Sequence, residues 1–320
     1  NLKNVLVSDL HNFYPGQTLL LDHFYITFLT LFPIYKLFPT PITLLLIQTL
    51  TPIVSGYLIL LICKELKINS IFSLAFSLVY IFNIVNVLGT IDGVYGFHVD
   101  CLIPIFFFLT YYAFLKKNIF LYSLSFFLLL GVKEDLLIYA SFISLLSYFY
   151  FIYLKKINKK FDIRILNISA LISFLMLVSY FIFMYYWKTI GVGPNPDIQV
   201  ITNPYLHIFE RYNIYNFFLY FFSIKWLIII LSFFPALFGF PYFILAYPFV
   251  YNLGSWYPNL SLFSGTHYTY HWFIVIAIIG FSAIKSFNQI YKFSEKKRQV
   301  LISLSIFFFA LSFTVGFYKA

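Results

Sequence analysis

The chain of 320 residues is 62% hydrophobic and 24% aromatic, only 10% of it is charged, and its mean hydropathy is +0.88 with a formal net charge of +10. Soluble domains carry roughly a quarter charged residues, so this chain has too few to cover a water-facing surface of its size. Intrinsic disorder and a soluble nucleotide-binding enzyme are excluded, and two cysteines cannot staple a secreted scaffold this long. The composition predicts an integral membrane protein, in which an excess of Lys and Arg marks cytoplasmic loops before it marks nucleic acid.

In chain order, Asn1 opens a stretch with no signal-like segment, and a span lost upstream is expected. Residues 11–40 look unlike a span. Pro33, Pro39 and Pro41 break the segment, Lys36 interrupts its apolar run, and Asp22 and His23 stand just before residues 24–38. This pattern fits a helix lying along the outer interface with Phe and Tyr among the headgroups. About ten crossings follow, near 41–63, 70–88, 99–115, 119–132, 135–153, 165–187, 218–234, 242–252, 270–285 and 299–317. Those at 119–132 and 242–252 are short, and Pro235 and Pro241 allow a different division of 218–252. The expected fold is an all-α transmembrane helix bundle over 41–317, one membrane domain with the interfacial segment 1–40 and a long outer loop at 188–217.

The loops sort by charge. Alternate connections hold Lys64 and Lys67; Lys116 and Lys117; Lys155, Lys156, Lys159, Lys160 and Arg164; and Lys285, Lys292, Lys296, Lys297 and Arg298. These are 14 of the 21 basic residues, against the acids Glu65, Asp162 and Glu295, so this face is predicted to be cytoplasmic. The opposite face receives the other eight acids and all six histidines. Topology explains the basic loops but not that concentration, so any chemistry is expected on the extracytoplasmic face.

Four polar clusters sit at outer helix ends. Lys133-Glu134-Asp135 stands between Leu128-Leu129-Leu130 and Leu136-Leu137-Ile138 with no loop around it. One reading is a helix N-terminus, with the carboxylates favoured by the macrodipole and Lys133 snorkelling to the surface. The other is a polar cavity in which Lys133 faces a phosphate and the carboxylates position it or bind a metal. His98 and Asp100 can act as base and orienting partner or share a divalent metal, or they form a solvated loop end. His267 and His271 lie four apart, on one helix face, but no Glu follows His267 as a zinc-protease motif requires. They too have a bland reading, as interfacial histidines bonded to headgroups. Asp22-His23 is the fourth cluster. No Gly-rich phosphate loop, nucleophile elbow or metal-spaced Cys pair is present, and Cys63 and Cys101 fall at opposite membrane faces.

Five of these segments together carry a resemblance: Asp22-His23-Phe24; Leu31-Phe32-Pro33-Ile34-Tyr35-Lys36-Leu37-Phe38-Pro39-Thr40-Pro41 running into Gln48; Phe97-His98-Val99-Asp100; Val132-Lys133-Glu134-Asp135; and Gly265-Thr266-His267-Tyr268. In this order they resemble an uncharacterised family of archaeal and bacterial polytopic membrane proteins, over roughly residues 8–290. That family is classed by distant similarity with the GT-C glycosyltransferases, which take sugars from polyprenyl-phosphate carriers on the outer membrane face. By position the resemblance points to His23, His98, Asp100, Lys133, Glu134, Asp135 and His267. Members usually begin with a span and an acidic motif in the first outer loop. Here Asp9 or Asp22 would have to stand in for that motif.

The resemblance implies a membrane glycosyltransferase acting on a polyprenyl-phosphate-linked sugar at the extracytoplasmic face. Asp22 or Asp100 would take the acceptor proton, and Lys133, with His98 or His267, would stabilise the leaving phosphate. Glu134 and Asp135 complete the catalytic set, with His23 and His271 among the substrate-binding residues. Mg²⁺ or Mn²⁺ is the candidate cofactor, with Asp100 and His98 as its candidate ligands. Expected partners are membrane lipids and the lipid-linked donor, not nucleic acid. Two other classes compete: a carrier or flippase for a lipid-linked or anionic solute, which predicts polar groups near the bilayer midplane, and a structural subunit of an envelope complex.

Overall fold

The computed structural model describes residues 25–82, 97–134, 136–138, 164–190 and 294–301, with single positions at 87, 141, 144, 145, 148, 152, 303 and 304. Among the described residues every regular element is helical, and no strand occurs. The chain divides into two compact units, Asn1–Leu37 with Lys117–His207 and Phe38–Lys116 with Ile208–Ala320.

The second unit is built on α2 (Pro41–Glu65), which packs against both α3 (Ser70–Ile81) and α4 (Ile103–Leu115). Extended Thr40 precedes Pro41, whose missing N–H costs nothing in a first turn. The helix closes without glycine: Lys67 takes a φ of 56° and the Ile68 N–H reaches the Cys63 carbonyl at 2.9 Å. This is the left-handed closure that usually recruits glycine. Asn69 then caps α3, its Oδ1 accepting from the Ile71 N–H at 2.9 Å. The two helices meet at Gly56, whose carbonyl accepts the Ser77 hydroxyl at 2.8 Å. A β-carbon at position 56 would fall 2.5 Å from Ile81 Cδ1, so any larger residue would have to displace the Ile81 side chain. Tyr80 and Phe108, both fully buried, meet edge to face at 5.3 Å.

The first unit starts with a 3₁₀ turn (Ile26–Leu31) running directly into α1 (Phe32–Leu37). Pro33 is accommodated because it lies in the first turn of α1, where no intrahelical N–H is needed. Asn118 caps α5 (Ile119–Leu130) through the Leu121 N–H at 3.0 Å. Against α5 packs α6 (Arg164–Ile190), with the Tyr122 and Ser169 hydroxyls bonded between them.

The burial pattern reverses that of a water-soluble helix. On α2, Ile42, Leu46, Leu50, Ile53 and Tyr57 are exposed, whereas Gln48, Thr51 and Ser55 are buried. On α6, Leu171, Phe174, Val178, Phe181 and Ile182 are exposed, whereas Ser169 and Ser173 are buried. Apolar side chains outward and hydroxyls inward suit a lipid surround, where interhelical polar contacts are kept inside. Pro41–Glu65 and Arg164–Phe183 are also long and apolar enough to cross a membrane.

Most expected crossings that fall on described residues coincide with helices, with shifted ends. The run expected to span 70–88 stops as a helix at Ile81, ahead of Asn83 and Asn86. The helix expected from 165 to 187 continues to Ile190, taking in the first residues of the long outer loop. The helix expected from 299 already includes residue 295, because Ser294 offers a start and its carbonyl accepts the Arg298 N–H at 3.0 Å. Crossings expected at 218–234, 242–252 and 270–285, and most of the loop at 188–217, lie outside the described residues.

Candidate functional site

In the second unit, Gln48 is the one amide in the apolar run of α2 and is fully buried. Its Oε1 accepts the backbone N–H of His98 at 3.0 Å. That bond fixes His98 in an extended conformation (φ −127°, ψ 133°), from which a 3₁₀ turn, Val99–Leu102, leads into α4. The turn holds Asp100 at 2% exposure. One helical turn along from Gln48, Thr51 is also buried, its hydroxyl donating to the Gln48 carbonyl at 2.7 Å. Gln48 therefore ties the start of the His98–Cys101 stretch to α2. The solvated loop-end reading is overturned for Asp100, because the turn folds against the helix and buries the carboxylate. Cys63 and Cys101 are both buried and free.

In the first unit, the Thr27 N–H donates to the Gly131 carbonyl at 2.9 Å and its hydroxyl to the Leu128 carbonyl at 2.5 Å. The last carbonyls of a helix have no intrahelical partner, so Thr27 caps the C-terminal end of α5 from the 3₁₀ turn. Gly131 admits Thr27 because a β-carbon there would come within 2.9 Å of its Oγ1. The chain turns at Val132, and the next helix opens with the Leu137 N–H bonded to the Lys133 carbonyl at 3.0 Å. Lys133 and Glu134 are each 7% exposed. The helix-start reading thus holds, with Glu134 in the first turn near the positive end of the macrodipole. Snorkelling does not, because the Lys133 side chain is buried.

Among the sequence candidates, the structure places His98 and Asp100 together in the second unit, and Lys133 and Glu134 together in the first. Asp22, His23, Asp135, His267 and His271 lie outside the described residues. Among the described residues no three His, Cys, Asp or Glu side chains gather as a metal cage. Sequence reasoning gave no role to Thr27, Thr51 or Gln48. The lone amide in an apolar run was a usable signal for Gln48. Thr27 had none, since its partners are about a hundred residues away in the chain.

A family model described as a predicted membrane protein (DUF2079) matches residues 4–319. No curated protein and no solved structure matches the chain.

Proposed function

From the premise that this chain belongs to the DUF2079 family of predicted membrane proteins, we propose that it is a multi-pass glycosyltransferase of GT-C type, with about ten spans, taking a sugar from a polyprenyl-phosphate carrier at the extracytoplasmic face. The observation that carries this reading is the burial of Lys133 and Glu134 at a helix start that Thr27 ties to the interfacial segment. Asp22 and His23 precede Tyr25 by three and two residues in that same segment of chain. The Asp22-His23-Phe24 motif of the resemblance thus adjoins that segment in the chain. Charged groups are costly near hydrocarbon and are retained where a polar ligand meets them.

In the proposed reaction a carboxylate, for which Asp22 is the candidate, takes the acceptor hydroxyl proton as the oxygen attacks the sugar anomeric carbon. The bond from that carbon to the phosphate oxygen breaks, and the phosphate leaves on its lipid carrying the electron pair. Lys133 stabilises the charge that grows on the phosphate, worth roughly 10²–10³ in rate for one well-aimed donor. Glu134 holds the lysine ammonium in place. Within the second unit, Asp100 and His98 are the candidate ligands of a divalent cation, which would supply charge stabilisation.

Purified protein in liposomes, given polyprenyl-phosphate and polyprenyl-pyrophosphate sugars, should transfer sugar to an acceptor, and Lys133→Ala should cut the rate at least 100-fold. No transfer from any such donor, together with unchanged cell-surface glycans in cells carrying Lys133→Ala, overturns the reading.

A further inference from the structure

A proline stands in the interior of α2, with helix on both sides of it. Pro52 has 11 helical residues before it (41–51) and 13 after it (53–65). It offers no N–H to the carbonyl four residues earlier, that of Gln48, and its ring crowds that carbonyl. The Thr51 hydroxyl takes the place of the missing donor, bonding the Gln48 carbonyl at 2.7 Å. Serine and threonine side chains make such repairs beside prolines in membrane helices. The repair is one rotatable side chain where the rest of the helix has its backbone ladder, so α2 bends most easily between Gln48 and Pro52.

The two halves of α2 differ in what holds them. From Pro41 to Thr51 only Gln48 and Thr51 are buried, and the rest are half-buried or exposed. Past Pro52 the helix is pinned: Ser55, Leu58, Ile59, Ile62 and Cys63 are buried, and the Gly56 carbonyl accepts the Ser77 hydroxyl of α3 at 2.8 Å. Few buried contacts beside an interrupted ladder mark a segment that opens before the rest of the fold. Gln48 is held at both ends, its main-chain carbonyl by Thr51 and its side-chain Oε1 by the His98 N–H at 3.0 Å. At 1.5 Å per residue it stands about 6 Å from Pro52, so a bend of about 20° there displaces it by roughly 2 Å. That displacement breaks a hydrogen bond of 3.0 Å.

We propose that α2 is a hinged helix, in which the lever Pro41–Thr51 swings about Thr51-Pro52 on a half fixed to α3, and that its swing withdraws Gln48 from His98 and uncovers the turn carrying Asp100 and Cys101. In the closed state that turn packs on α2 and leaves Asp100 at 2% exposure, shielded from any cation or polar ligand. The hinge therefore sets when the Asp100 carboxylate can be reached. Thr51 is the residue that keeps it closed, because its hydroxyl alone repairs the bond that Pro52 removes. The hinge does not depend on the transferase reading.

The two native cysteines report the motion, since Cys101 lies in the turn and Cys63 in the fixed half, and both are buried and free. Full-length protein in liposomes is treated with N-ethylmaleimide, and labelling of each cysteine is followed by peptide mass spectrometry. Cys101 should react roughly tenfold faster than Cys63 or more, because its cover opens without the rest of the fold. Thr51→Val keeps the shape and removes the hydroxyl, and should raise the Cys101 rate about fivefold while leaving Cys63 unchanged. Pro52→Ala restores the backbone N–H and should lower the Cys101 rate by about the same factor. Thr51→Val with Pro52→Ala should behave as Pro52→Ala alone, because the backbone bond makes the hydroxyl redundant. Equal rates at the two cysteines of the wild type, a Cys101 rate indifferent to both substitutions, or changes shared by Cys63 overturn the hinge. If the variants do not fold, spin labels decide, placed at Leu46→Cys and Leu78→Cys after Cys63→Ser and Cys101→Ser. Two distance populations support the lever, and a single one as narrow as that between Tyr57→Cys and Leu78→Cys overturns it. Neither readout involves a sugar donor, so failure here leaves the transferase assay untouched.

Discussion

Thr27 and Gly131 are bound at 2.9 Å through the threonine N–H and the glycine carbonyl, and the threonine hydroxyl fills the space a β-carbon on Gly131 would need. Gly131 has a φ of −83°, so the requirement is for room and not for a left-handed backbone. Gly131→Ala is expected to destabilise the protein by about 1–3 kcal/mol through overpacking. Thr27→Ala opens that space, so the double variant should lose less than the two single losses summed. Denaturation in mixed micelles across the four-member cycle checks this. Additivity to within about 0.3 kcal/mol would show that the two residues are not coupled.

Gln48 should be needed for the order of the stretch that carries Asp100. Gln48→Leu keeps the volume but leaves the His98 N–H without its acceptor at 3.0 Å, a loss of about 1–3 kcal/mol for a buried donor. Hydrogen exchange at the His98 amide should then accelerate at least tenfold, the factor equivalent to about 1.4 kcal/mol. Gln48→Glu retains an oxygen acceptor but buries a charge in a membrane helix, and should be worse in stability than the leucine variant. An unchanged His98 exchange rate in Gln48→Leu counts against that role.

Lys116 and Glu65 form an ion pair at 2.6 Å where α4 and α2 end. The Glu65 hydrogen bond raises the Lys116 pKa above its ordinary 10.5. A raised lysine pKa means the folded state holds the proton more tightly than the unfolded state does. The contribution is therefore complete below the ordinary lysine pKa and is lost as pH rises through the raised value. Stability of the wild type relative to Lys116→Met, followed by thermal aggregation, should be constant from pH 7 to 9 and shrink above pH 10.5. Raising the salt concentration should shrink the pH 7 difference, because the pair is partly exposed.

Hydropathy, proline placement and charge determined, from the sequence by itself, the membrane character of the chain and where its described helices lie. These are local properties: Pro41 and Asn118 mark helix starts, and the long apolar runs from 41 and 164 are legible because a span must be apolar throughout. The sequence also singled out Asp100, Lys133 and Glu134, since charges beside hydrocarbon are conspicuous whatever the fold. It left two readings open for each, and only the tertiary structure decided between burial and solvation. Exposure depends on contacts between residues far apart in the chain, and no periodicity encodes them. Lys133 is buried just past the point where Thr27 caps α5, and Asp100 is buried in the turn that follows His98, whose backbone Gln48 bonds.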